Sequence, residues 1–362
     1  MYTITKLLAT AYQRWNDAQE LGSIGMELET RSRLEEARHL LGRALELDPV
    51  SHPEWYLSLA FAHFRDVGSL SAEGERILID GIEETDSDFL KAAYLSVLEA
   101  DGGSQAMIDD LIAYLRESDD VSVRFALGYS LLWRGDSEAA IDLLRQSVAL
   151  LEEHDVPLGL DLYCGALNWM YAQHMPALSV DLATEVAPYL ERMINQKPQV
   201  YNYRALKIQM YQTLRSYAAV VETARQTLSL FPDEETTMVA LASALEKLGD
   251  DEQAVLWYNR AIGAKPSFAR ARVMLSKLYE RRGNTTLAES VLREIPTAFP
   301  EYTLGRLEIA YFLYRHGKTD EALSLFQYGY DRLKTFEKSA VEQHPEGALL
   351  LEELNRFMLP VV

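Results

Sequence analysis

A single cysteine, Cys164, stands in the 362 residues, which excludes an internal disulfide framework and any cysteine-rich zinc site. Long apolar runs are also missing. The opening stretch MYTITKLLATAYQRWNDAQELG has one Lys before a short apolar run. Gln13, Arg14, Asn16 and Asp17 interrupt it before a signal-peptide core or a membrane span could develop. No other segment is apolar for long enough to span a bilayer, so the expectation is a cytoplasmic chain without a membrane partner. Positive charge is scarce: 35 Lys and Arg face 55 Asp and Glu, a formal net charge of -20. A polyphosphate ligand requires cations to replace its counterions, so nucleic acid is not the expected partner. Catalytic motifs are lacking too. There is no Gly-rich phosphate loop, no HExxH helix and no G-x-S-x-G elbow. The histidines, His39, His52, His63, His154, His174, His316 and His344, are scattered without ligand spacing. No enzyme, metal or cofactor is expected.

The acid is unevenly placed. Residues 1–120 carry 24 Asp and Glu against 10 Lys and Arg, whereas residues 199–336 carry 16 against 18. The first stretch presents a negative field to a basic partner or to solvent, and the second does not.

What the sequence does have is a period. Prolines fall at Pro198, Pro232, Pro266 and Pro300, each 34 residues from the next. Gly249, Ala254 and Pro266 return as Gly283, Ala288 and Pro300, and Gly317 and Ala322 return again. Between successive prolines lie two stretches with helical apolar spacing, such as MVALASALEKLG and DEQAVLWYNRAI. Small residues recur where two helices approach closely, and large ones fill the space around them. The glycine ends the first helix, where a left-handed residue costs glycine least. Pro296 falls in the last turn of a second helix and is expected to shorten it.

In these positions the chain resembles the tetratricopeptide repeat (TPR) family, whose 34-residue unit is a helix, a turn and a second helix. Residues 235–268 fit through Met238, Leu241, Ala242, Leu245, Gly249, Ala254, Tyr258, Ala261 and Pro266. Residues 269–302 fit through Leu275, Ser276, Tyr279, Gly283, Ala288, Leu292 and Pro300, and residues 303–336 fit without the proline. Residues 201–234 fit less closely, with Arg215 where the glycine belongs. Upstream, residues 121–154 supply Leu127, Gly128, Leu131, Gly135, Ala140, Leu144 and Val148, and Ala37, Leu41, Ala44 and Pro49 supply the second half of another unit. The resemblance implies an all-α fold, a right-handed α-solenoid of about nine helix pairs closed by a capping helix at EGALLLEELNRFM. Four stretches are expected: acidic degenerate pairs over 1–120, one regular unit and a longer pair of helices near 157–175 and 177–196 over 121–200, four repeats over 201–336, and a cap over 337–362.

The resemblance also implies that the first helix of each pair lines a concave groove. Carried onto this chain, the lining positions include Asn202, Gln209 and Gln212, then Ser243, Glu246 and Lys247, then Arg270, Lys277, Glu280 and Arg281, then Leu307, Tyr311, Tyr314 and Arg315. The cations and amides suit an acidic or carboxylate-terminated peptide. The alternative is a solvated face whose Lys and Arg pair with Glu246 and Glu280. The chaperone-tail clamp of some family members, Lys and Asn at the fifth and ninth places, has no counterpart here. Phe125, Tyr129 and Trp133 form an aromatic stripe that reads either as core or as an apolar anchor for a partner helix. Leu307, Tyr311 and Tyr314 are candidates for a homodimer contact, unless the terminal helix covers them.

The functional reading is a non-enzymatic scaffold or adaptor that binds a protein segment in its groove. The alternative is a regulatory sensor whose superhelix changes curvature on binding a peptide or small signal ligand.

Overall fold

A computed structural model describes residues 3–31, 33–63, 71–100, 104–118, 136–150, 176–298, 303–333 and 344–358, with single positions between 120 and 131 and between 338 and 342. The expectations placed on Phe125, Tyr129, Trp133, Cys164 and a helix near 157–175 lie outside the described residues. Every regular element among the described residues is an α-helix. The chain divides into two compact units, one taking Met1–Arg65 and Ser69–Asp233, the other Glu234–Val362. That division falls inside the 201–336 run, after its first repeat.

The first unit runs α1 (Ile4–Gln13), α2 (Ala18–Thr30), α3 (Leu34–Leu47), α4 (Pro53–Ala62), α5 (Ala72–Thr85), α6 (Asp88–Ala100) and α7 (Gln105–Leu115). It continues with α8 (Ser137–Leu150), α9 (Pro176–Gln196), α10 (Tyr201–Thr213) and α11 (Tyr217–Leu230). Helix α9 is the long helix expected over 177–196. The second unit runs α12 (Glu235–Lys247), α13 (Asp251–Ala264), α14 (Ala269–Arg281), α15 (Thr285–Arg293), the one-turn α16 (Ile295–Ala298), α17 (Thr303–Arg315), α18 (Thr319–Tyr330) and α19 (Pro345–Met358). Each helix packs on the next from α1 to α7, from α8 to α11 and from α12 to α19, the α-solenoid arrangement.

Local chemistry sets where these helices begin and stop. Asp17, Ser71 and Asp250 accept hydrogen bonds from the backbone N–H groups of Glu20, Gly74 and Gln253, satisfying donors that each helix start leaves open. At the other end one device recurs. Ser216, Asp250, Asn284 and Lys318 donate backbone N–H bonds of 2.9 Å to the carbonyls of Tyr211, Leu245, Tyr279 and Leu313, five residues back. This closure needs a left-handed residue just before the donor. Gly249, Gly283 and Gly317 supply it at φ 85, 78 and 76, and Arg215 supplies it at φ 53 in the repeat that lacks the glycine. The same bond ends α2, from Arg33 to Leu28 at 2.8 Å. Helix α15 stops at Arg293, a turn at Glu294 intervenes, and Pro296 lies in the short α16. The proline lacks the N–H that would have carried α15 onward.

Helices α2 and α3 form one repeat, of which the expected pattern covers only the second half. Leu21, Ile24 and Leu28 of α2 are buried together with Ala37, Leu41 and Ala44 of α3. A Cβ on Gly25 would stand 2.7 Å from Leu41 Cγ, and one on Gly22 would stand 2.1 Å from Trp55 Cε2. Glycine therefore takes the small-residue place of this repeat, where later repeats have Ala242 and Ser276. Gly128 does the same against Leu144, at 2.8 Å. Each fully buried leucine at such a contact contributes roughly 1.5–3 kcal/mol relative to exposure.

Candidate functional site

In the second unit the predicted groove residues fall on the first helices of the pairs, α12, α14 and α17. Apolar side chains hold each helix by its inner face. Met238, Leu241, Ala242 and Leu245 are buried on α12, and Ala271, Leu275 and Leu278 on α14. The polar positions between them are left toward the surface, and there the cations meet acids of the adjacent pair.

Arg281 bonds Glu246 through one guanidinium nitrogen and Asp251 through another at 3.1 Å. Arg315 repeats the pattern 34 residues on. It contacts both oxygens of Glu280, at 3.1 and 2.9 Å, and Glu346 of α19 at 3.0 Å. Lys277 lies 3.2 Å from Glu308 of α17. The result is a ladder in which the acid in the last turn of one first helix is held by the cation one place further on in the next repeat. Such exposed pairs stabilise by about 0–1 kcal/mol each. Their larger role is to fix how neighbouring repeats face one another.

Burial would raise the Glu280 pKa, but hydrogen bonds from Arg315 and His316, with their positive charge, outweigh it and hold the carboxyl below its ordinary value of 4.5. Burial acts likewise on Glu346, and Arg315 again overcomes it. Tyr258 donates a 3.0 Å bond to Glu246, and burial together with that negative neighbour pushes its phenol up. A second set of pairs joins the second helices. Arg293 bonds Glu289 at 2.8 Å and Glu321 at 2.7 Å, while Lys318 bonds Glu289 at 2.7 Å.

The solvated-pair alternative thus accounts for Lys277, Arg281 and Arg315. Lys247 and Arg270 differ. Both are exposed, and neither makes an ion pair or hydrogen bond among the described residues. Tyr311 is no surface residue: it is 6% exposed and stacks on His344 with ring centroids 4.2 Å apart. Leu307 is buried as well, and Tyr314 is half-buried against the same core. His344, immediately before α19, covers Tyr311. Asn202, Gln209 and Gln212 lie half-buried on α10 in the first unit.

Sequence reasoning did not find Asp251, Glu308, His316 and Glu346 as partners. The separation of 35 residues between Arg281 and Glu246, and again between Arg315 and Glu280, was a readable signal for the ladder itself.

A family profile described as Tetratricopeptide repeat matches residues 211–267 and 240–303. No curated protein matches the chain. Among solved structures, yeast Tom70 is 11% identical, covering 96% of this chain and 87% of its own, with a TM-score of 0.49. A MamA structure is 13% identical, covering 56% of this chain and 98% of its own, with a TM-score of 0.35. Among the described residues no helix is long and apolar enough to cross a membrane.

Proposed function

Residues 211–303 are tetratricopeptide repeats, and on that footing we propose that the protein is a non-enzymatic scaffold whose second unit binds an acidic or carboxylate-terminated protein segment along α12 and α14. The observation that carries this reading is the pair Lys247 and Arg270. They are exposed cations on first helices, and the ladder that consumes Lys277, Arg281 and Arg315 leaves them without an ion pair among the described residues. An arginine fork or a lysine ammonium with unused donors is suited to a carboxylate.

The test is titration of the full chain with an acidic peptide bearing a free C-terminal carboxylate. The double change Lys247→Glu and Arg270→Glu should weaken capture by about tenfold or more at low salt, with helical content unchanged because no ion pair is broken. Unchanged affinity would sink the reading. Reversal at Lys277 and Arg281 is the poorer test, because it also breaks contacts between repeats.

A second reading, a sensor of changing curvature, is favoured by one contact inside the first unit. The buried Arg31 side chain of α2 lies over the rings of Phe231 and Tyr201, at 5.3 and 6.0 Å, and the Tyr201 N–H reaches Glu27 Oε2 at 3.4 Å across 174 residues. Such a contact between helices remote in sequence is a place where a ligand could loosen or tighten the unit.

A further inference from the structure

The acid-rich N-terminal stretch holds a cleft that the helix packing leaves open. It lies between α1 and α3, has a volume of about 280 Å³, and is lined by Leu8, Tyr12, Glu35, Glu36, His39 and Leu40. Leu40 is buried beneath it, while Tyr12 is 61% exposed, the highest value of any large apolar side chain among the described residues. The Tyr12 ring stacks on Trp15 at 5.8 Å, and Trp15 contacts the His39 ring at 5.1 Å, so a run of ring faces adjoins the opening.

Two carboxylates complete the cleft. Glu35 and Glu36 stand in the first turn of α3, where they favour the helix dipole. That role leaves their hydrogen-bonding oxygens unused, because neither makes an ion pair or hydrogen bond among the described residues. The α3 cations Arg38 and Arg43 are engaged elsewhere, Arg38 with the Ala62 carbonyl at 3.1 Å and Arg43 with Glu46 at 2.8 Å.

Exposed aromatic faces beside two adjacent free carboxylates select a cation. The volume of about 280 Å³ is below the roughly 300–1,000 Å³ of pockets for drug-sized ligands, and suits a side chain better than a whole ligand. A planar guanidinium suits it better than an ammonium, because it stacks on rings and forks onto carboxylates at once. We propose that this cleft receives an arginine side chain from a basic protein segment, the guanidinium lying against the Tyr12 and His39 rings and bonding Glu35 and Glu36. The site lies in the first unit, so it stands or falls independently of the acidic-segment reading of the second.

The experiment titrates the full chain with a labelled Gly-Ser peptide carrying spaced arginines, at ~0.1 M salt where the Debye length is about 10 Å. Twin peptides carry lysine or neutral citrulline instead. Arginine should bind more tightly than lysine, and citrulline should not bind. Tyr12→Ala should weaken the arginine peptide about fivefold and Tyr12→Phe should restore it. Glu35→Gln with Glu36→Gln should cost about tenfold. Glu83→Gln with Glu84→Gln, an equal charge loss on α5, should cost under about twofold. The proposal is overturned if Tyr12→Ala binds like the wild type, if the two glutamate pairs matter equally, or if lysine binds as well as arginine.

Discussion

The two units solve the same packing problem with different means. In the second, the repeats keep a constant length, their turns close on glycines at positive φ, and neighbouring repeats are tied by the Arg281–Glu246 and Arg315–Glu280 pairs. In the first, helix lengths and spacings vary, and glycines pressed against large side chains recur, Gly22 on Trp55, Gly25 on Leu41, Gly81 on Tyr56 and Gly128 on Leu144, a contact the second unit also makes with Gly329 on Leu307. Regular spacing allows a charge at one place to meet its partner in every copy. Irregular spacing does not, and steric fit at particular points takes over.

The sharpest way to break this contrast is Gly22→Ala. A Cβ there would overlap the Trp55 indole, 0% exposed, so the loss in the first unit should be about 3 kcal/mol. Hydrogen exchange resolved along the sequence should show lower protection in α2 to α4 while the second unit keeps its own. Equal loss in both units would mean that they do not fold separately.

A smaller effect is expected at the turns. Gly283→Ala forces a side chain into the left-handed region at φ 78 and should cost about 1–2 kcal/mol, although no atom would crowd the new methyl. Arg215 already bears that strain at φ 53, so Arg215→Gly should stabilise by about 0.5–1 kcal/mol. Urea midpoints at unchanged m-value would register both changes. A gain at Gly283→Ala or a loss at Arg215→Gly would contradict the shared turn.

The ladder should give the smallest effect for any single pair. A double-mutant cycle on Arg315 and Glu280 is expected to show coupling of up to about 1 kcal/mol, reduced by salt. Acid offers a collective version. Glu280, Glu289, Glu321 and Glu346 titrate below their ordinary 4.5 in the folded chain, so they bind protons more readily when unfolded. Their stabilisation is complete above pH 4.5 and is lost as pH falls through the depressed values. Thermal melts at descending pH should therefore show the second unit weakening from about pH 4.5 downward. A flat profile there would deny the ladder any energetic weight.

Much of this fold was readable in the letters, because a helix pair needs small, large and turn residues at set distances. The positions Gly249, Ala254 and Tyr258 announced their unit. The half-repeat in α2 carries its small residue as Gly25, where the later units have Ala242 and Ser276, and its reason is Leu41. Among the site residues, Lys247 and Arg270 are exposed, whereas Tyr311 is buried. An aromatic residue at helical spacing fits core and groove equally well. Its outcome depended on His344, whose ring stacks on it.

Local conformational preference and composition set the helical period, the glycine turns, the break before Pro296 and the asymmetry of charge. Tertiary structure alone decided which cations were already spent on neighbouring acids, that Arg31 would be buried against Phe231, and that Tyr12, Glu35 and His39 would share one cleft. Those outcomes depend on distances between side chains far apart in the chain. A repeating local pattern constrains the helices that carry them, while the packing of each helix on the next decides which ones meet.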